Sequence, residues 1–187
     1  MTGAEKYRLF ASLSQVSRTG WVQRGVQNPE SVAEHIYGCW LLGTFLLPEQ
    51  DKHPDYDKQD ILAMLLLHDL PEAITGDIPR PVKKQNPDYY DRLEREAAER
   101  SLLSGECTPQ QRTLWQQWDT QSTYNALVAK DIDNLQAIYT FCCLQKNDPS
   151  LFTDEDTAAW LQGLQQLKTP TVQKIAKELM KERESDV

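Results

Sequence analysis

Apolar residues recur along this chain at helical spacing and almost nowhere at strand spacing. No stretch alternates apolar and polar side chains cleanly over more than a few positions, whereas i, i+3, i+4 repeats are common. Ala4 to about Val16 carries Tyr7, Phe10, Leu13 and Val16 on one stripe and predicts an amphipathic helix. Arg18-Thr19-Gly20-Trp21 through Pro29 reads as a loop. Ser31-Val32-Ala33-Glu34 is a capping box, so a helix is expected to about Leu47. Pro48 to Lys58 is polar, contains Pro54, and predicts a loop. Asp60-Ile61 to His68 predicts a strongly apolar helix buried on most sides.

Pro71 interrupts that run, and Gly76 ends the next short turn. Pro79, Pro81 and Pro87 predict a stiff loop from Asp77 to Asp88. Tyr89 to about Leu103 and Thr108 to about Trp118 predict two surface helices. Thr123 to about Gln145 predicts a long, rather apolar one. Asp154 to Leu167 follows, opened by Thr153 as a cap with Asp156 at the third helical position. Thr171 to Glu184 closes the chain, with its tip, Arg183 to Val187, expected to fray. The sum is an all-α fold, a compact bundle of about seven or eight helices in a single domain over 1–187.

Composition narrows the function classes. In 187 residues the charged fraction is 26% and the hydrophobic fraction 40%, which excludes global disorder. Twenty basic against 28 acidic residues give a net charge of −8. Such a chain has no long-range attraction for a nucleic-acid polymer or an anionic membrane, although a local basic pocket could hold a small anion. No apolar run approaches the roughly 20 residues of a membrane span. The first residues, Met-Thr-Gly-Ala-Glu-Lys, lack the basic start and apolar core of a secretory signal. Cys39, Cys107, Cys142 and Cys143 form no CxxC, so reduced thiols and a cytoplasmic location are expected.

The chain has three histidines. His53 lies in the polar loop and reads as solvated. His35 lies in the first turns of the capped helix. His68-Asp69 ends the apolar helix, where burying an aspartate is costly unless something positive binds it. The bland alternative makes Asp69 a cap for the helix that begins near Pro71. Glu72 and Asp77 follow closely, and two carboxylates beside a histidine–carboxylate pair suit water activation at a metal. Lys83 and Lys84 suit a phosphate, and no GxxxxGK[ST] loop is present to do so instead.

On the long helix, Ala126, Ala129, Lys130, Asp133 and Ala137 share one face. Asp131 points roughly 200° away from Asp133, so the small residues select Asp133 for a tight polar pocket. A surface Lys130–Asp133 ion pair is the plain alternative. Trp115 and Trp118 read as packing, the Cys142–Cys143 pair as core, and Glu94 to Arg100 as a solvated face with i, i+4 pairs.

His35, His68-Asp69 and Asp133 together resemble the H…HD…D pattern of the HD-domain metal-dependent phosphohydrolases. Arg18-Thr-Gly-Trp21, the Pro-Glu-Ser-Val-Ala-Glu-His run at 29–35, His68-Asp-Leu-Pro-Glu72, Thr75-Gly-Asp77-Ile-Pro, Pro81-Val-Lys83 and Lys130-Asp-Ile-Asp133 resemble the YfbR-like 5′-deoxynucleotidases within it. The resemblance runs from about residue 5 to 145, with the C-terminal helices of 153–184 packed on that part. Gln136 departs from it, standing where relatives often carry an acidic residue.

The resemblance implies that His35, His68, Asp69 and Asp133 ligate one divalent metal. Imidazole plus carboxylate accepts manganese, cobalt, iron, nickel or zinc. It implies that Glu72 orients the attacking water or serves as general acid/base, and that Asp77 positions the water or contacts the sugar. Lys83 and Lys130 would hold phosphate oxygens. Arg18 and Trp21 would close over the sugar, with Trp21 a steric check at the 2′ position or, equally, a core aromatic. The leading activity is hydrolysis of deoxynucleoside 5′-monophosphates, and a homodimer or higher homo-oligomer is implied. The alternatives are a deoxynucleoside triphosphate triphosphohydrolase on the same metal site, with magnesium accompanying its substrate, and a non-catalytic nucleotide-binding module.

Overall fold

The structure is a computed structural model describing the backbone of residues 1–185 and the side chains of residues 1–181. Among the described residues it is all-α, with α1 Gly3–Ala11, α2 Thr19–Val22, α3 Val32–Leu46, α4 Lys58–Leu67, α5 Glu72–Thr75, α6 Arg80–Lys83, α7 Pro87–Arg100, α8 Pro109–Thr120, α9 Tyr124–Asn147, α10 Asp154–Gln162 and α11 Pro170–Ser185. Eight of these run seven residues or more, as expected. The two segments expected as loops that contain helix are short: Thr19–Val22 and Arg80–Lys83 each make a single turn. The proline at N2 of α6 explains the second case, because a ring that stiffens a loop also fits a helix's first turn. The fraying expected over Arg183–Val187 lies outside the described side chains and, for residues 186–187, outside the described backbone.

The chain divides into two compact units, residues Met1–Tyr37 with Leu66–Trp115, and residues Gly38–Leu65 with Gln116–Val187. In the first, Leu13, Val32 and Ile36 form one core cluster and Ala98, Leu102, Leu103 and Trp115 another. Phe10 and Leu70 pack against both clusters, and Leu67 against the second. Leu67 and Leu70 flank His68-Asp69, so the apolar packing fixes the turn that carries this pair. An isolated antiparallel bridge joins Ser17 and Ser31, with the Val32 N–H donating to Val16 O at 2.7 Å. It sets the Arg18–Trp21 segment beside the start of α3.

The second unit is organised on α9, capped by the Thr123 side chain and buried along much of its length. Phe141 stacks on Trp160 and meets Phe152 edge-on. Gly43 of α3 is required by close approach: a Cβ there would lie 2.8 Å from Leu62 and 2.9 Å from Leu65. Cys142 is buried, but Cys143 is exposed, which corrects the reading of both as core. Successive positions on a helix are about 100° apart and do not share a face. His53 is not simply solvated either; its ring stacks on Tyr124 at 3.8 Å.

Asp131 has a structural task in this unit. Its Oδ2 accepts the Lys168 N–H at 2.9 Å, the Thr169 N–H at 2.7 Å and the Thr169 hydroxyl at 2.7 Å, and it is buried. It thereby fixes the turn that opens α11. Asp131→Ala leaves two backbone donors unsatisfied and is expected to destabilise the protein by about 3–4 kcal/mol. Thermal unfolding should show a fall in Tm on the order of 10 °C. An unchanged Tm would mean that these contacts are dispensable.

Candidate active site

The site in the first unit is assembled from three short stretches. Ser31 and Glu34 form the expected capping box: the Ser31 N–H donates to Glu34 Oε2 at 2.7 Å and the Glu34 N–H to Ser31 Oγ at 3.2 Å. This sets the first turn of α3, which carries His35. Helix α4 stops at Leu67, so His68 and Asp69 lie in the turn beyond it rather than on the helix. Asp69 offers its backbone carbonyl to the Glu72 N–H at 3.0 Å, and α5 has no side-chain cap. The capping alternative for the Asp69 carboxylate therefore fails, and the carboxylate serves something else. Gly76, with φ of 71°, then redirects the chain to Asp77.

Three candidate donor atoms converge. His35 Nε2 and His68 Nε2 lie 3.4 Å apart, and Asp69 Oδ2 lies 3.2 Å from His68 Nε2 and 3.6 Å from His35 Nε2. Both imidazoles are buried. One proton cannot satisfy two ring nitrogens and a carboxylate oxygen that all face each other, whereas one divalent cation can. Asp69 is also 3.3 Å from Arg18, whose guanidinium reaches Asp77 Oδ1 at 3.1 Å. Burial opposes ionisation of Asp69, but the His68 charge and hydrogen bond, then His35 and Arg18, outweigh it and hold its carboxyl far below the usual range.

Glu72 is the opposite case. It is buried, and its Oε2 has no hydrogen-bond partner. Burial, then the charges of Asp69 and Asp77, push its carboxyl up to about 10, against smaller opposing effects of Arg18 and Lys83. A buried, protonated carboxyl beside an ionised one is the pattern of a group kept for proton transfer. Asp77 is differently engaged: Oδ2 accepts the Thr19 N–H at 2.6 Å, Oδ1 faces Arg18, and its backbone carbonyl accepts the Thr19 hydroxyl at 2.8 Å. Lys83 pairs with Glu94 of α7. Burial would lower its pKa, but Glu94 first, then Glu72 and Asp69, raise it, so the side chain stays a cation.

Of the expected site residues, His35, His68, Asp69, Glu72, Asp77, Arg18, Lys83 and Trp21 belong to the first unit. Trp21 is buried and donates from Nε1 to Glu30 Oε1 at 3.1 Å. Asp133 and Lys130 belong to the second unit, where Lys130 Nζ donates to Asp133 Oδ2 at 2.8 Å and lies 4.7 Å from the Trp118 ring centroid. Asp133 is buried and Lys130 is 40% exposed, so this is not the surface pair of the plain alternative: one end of it is inside. Glu94, which the sequence places on a solvated face, pairs with Lys83, and Cys39, read from sequence only as a reduced thiol, is buried on α3.

Comparison with known proteins adds four findings. The family model for the HD domain matches residues 10–180. A protein named 5′-deoxynucleotidase HDDC2 from Dictyostelium discoideum is 34% identical over 72% of this chain and 73% of its own length. Its Bos taurus counterpart is 35% identical over 70% of this chain, which spans 62% of that protein. A conserved hypothetical protein from Pyrococcus furiosus shares the fold, with a TM-score of 0.78 over 96% of this chain and 99% of that one, at 24% identity.

Proposed function

The chain belongs to the HD-domain family, and from that premise we propose that it is a metal-dependent phosphohydrolase that cleaves deoxynucleoside 5′-monophosphates to deoxynucleoside and phosphate. The observation that carries this reading is the convergence of His35, His68 and Asp69 beside the buried carboxyl of Glu72, whose Oε2 has no hydrogen-bond partner. Asp133 completes the ligand set in this reading, and the two units form one HD domain, as a family match running through both supports. The donors are mixed nitrogen and oxygen, a set suited to manganese, cobalt, iron, nickel or zinc.

The metal, when bound, supplies neutralisation of phosphate charge and a lowered pKa for water. The chain's own residues do the rest. Glu72, a buried carboxyl whose Oε2 is unengaged, would orient the attacking water, or give its proton to the leaving 5′-oxygen and take one back from the water. Lys83 and Lys130 contact phosphate oxygens. Asp77, with both oxygens on Arg18 and Thr19, orders the 18–21 segment over the sugar. Trp21, the buried last residue of that segment, shapes the 2′ position. The enzyme acts as a homodimer or higher homo-oligomer, a reading that the exposed apolar side chains Phe45, Leu46 and Tyr139 support. Four cysteines outside any disulfide fit a cytoplasmic location, and among the described residues no helix is long and apolar enough to cross a membrane.

The test is a panel of deoxy- and ribonucleoside mono- and triphosphates with manganese, cobalt, nickel, magnesium and zinc, its products resolved by chromatography. Orthophosphate and free deoxynucleoside from monophosphates are expected. Tripolyphosphate from triphosphates would replace this reading with the triphosphohydrolase one.

A further inference from the structure

Lys83 is carried by the least anchored element near the site. Helix α6 is one turn long, has no side-chain cap and contains no fully buried residue. Its neighbour α7 is held firmly, with Ala97 and Ala98 buried in the core of the first unit. Glu94 of α7 pairs with the Lys83 ammonium, and this ion pair ties the loose element to the fixed one. The two side chains are 31% and 33% exposed, so screening leaves the pair little to add to stability. Its effect is positional: a lysine has a long, flexible stem, and a partner at its tip decides where the charge stands.

We propose that Glu94 is a positioning residue for the substrate phosphate, holding Lys83 ordered before substrate arrives. An ammonium has three N–H donors, so Glu94 can hold one while the others remain for phosphate oxygens. A cation ordered in advance binds its anion without losing that freedom on association. The inference rests on the reading of Lys83 as a phosphate contact. The rival sign is a carboxylate that competes with phosphate for Lys83, whose removal would tighten binding.

Kinetics and metal content for Glu94→Ala, Glu94→Gln, Lys83→Ala and the Lys83→Ala/Glu94→Ala double variant separate these, together with calorimetric binding of inorganic phosphate to the metal-loaded proteins. Glu94→Ala should raise KM and the phosphate Kd by about fivefold, with kcat within about twofold and metal content unchanged. Glu94→Gln, which keeps an acceptor oxygen, should recover part of the loss. On the Lys83→Ala background, Glu94→Ala should add nothing. A lowered KM, an unchanged KM, or the same rise without Lys83 would each overturn the inference. A wild type that binds phosphate without turning over monophosphates would count against the proposed activity, and phosphate binding alone would then decide the role of Glu94. A wild type that does neither would overturn both.

Discussion

Glu72→Gln is expected to lower kcat by about 10²–10⁴-fold and, in protein stripped of metal, to raise the unfolding temperature at neutral pH. The first effect follows from removing the only proton that a buried carboxyl of this kind offers. Metal content should stay at the wild-type level and KM should change little, because Glu72 is not among the expected ligands. The second effect follows from the cost of keeping that carboxyl protonated. Its ordinary pKa is 4.5, and in the folded protein burial and the Asp69 and Asp77 charges push it up to about 10. Below pH 4.5 both folded and unfolded chains hold the proton, and the residue costs nothing. Above that, the unfolded chain releases the proton and the folded one keeps it, so stability declines as pH rises until the folded carboxyl itself ionises.

Glutamine never ionises, so the variant should gain on the wild type from about pH 4.5 upwards. Near pH 7 the gain should be about 1–3 kcal/mol, or several degrees in Tm. Asp69 has the opposite sign, since its depressed carboxyl contributes stability above its ordinary range and loses it in acid. Melting curves with chelator from pH 4 to 9, beside kcat, decide the matter. Equal Tm values across the range would mean that Glu72 ionises freely, and near-normal kcat would remove it from the mechanism.

The fold was legible because helical periodicity and caps coincide. Thr153 with Asp156 and Ser31 with Glu34 close capping boxes where their spacing indicates, and Gly76 ends α5 in the left-handed region. The motifs at His35, His68, Asp69 and Glu72 mark a candidate site, and the fold sets the donor atoms of the first three within 3.6 Å of one another. What stayed hidden depends on contacts between elements distant in sequence. Glu94 looks like any other charge in a run of charges, and only the packing of α6 and α7 reveals its partner. Asp131 was read correctly as pointing away from Asp133, but its hydrogen bonds to the 168–169 turn lie 37 and 38 residues ahead, beyond any local pattern. Trp21 shows the limit of motif reading: its buried ring and its bond to Glu30 give it a packing role that the motif alone does not show.

Asp69→Ala is expected to abolish metal binding and turnover together while leaving the helical fold intact. The carboxylate faces both imidazole nitrogens within 3.6 Å, so its loss removes the anionic member of the donor cluster. Two buried imidazoles without it hold a divalent ion far less well. The fold should survive because Leu67 and Leu70, not Asp69, secure this turn in the core. Arg18 keeps Asp77 as a partner. Asp133→Asn should abolish turnover as well, whereas Asp131→Asn, which keeps an acceptor oxygen toward Thr169, should leave most of it. The decisive measurement is the metal content of purified Asp69→Ala by mass spectrometry, with wild type prepared alongside. About one divalent ion per wild-type chain is expected, against less than about a tenth of that in the variant. Undiminished metal in Asp69→Ala would contradict the assignment of this cluster as the metal site.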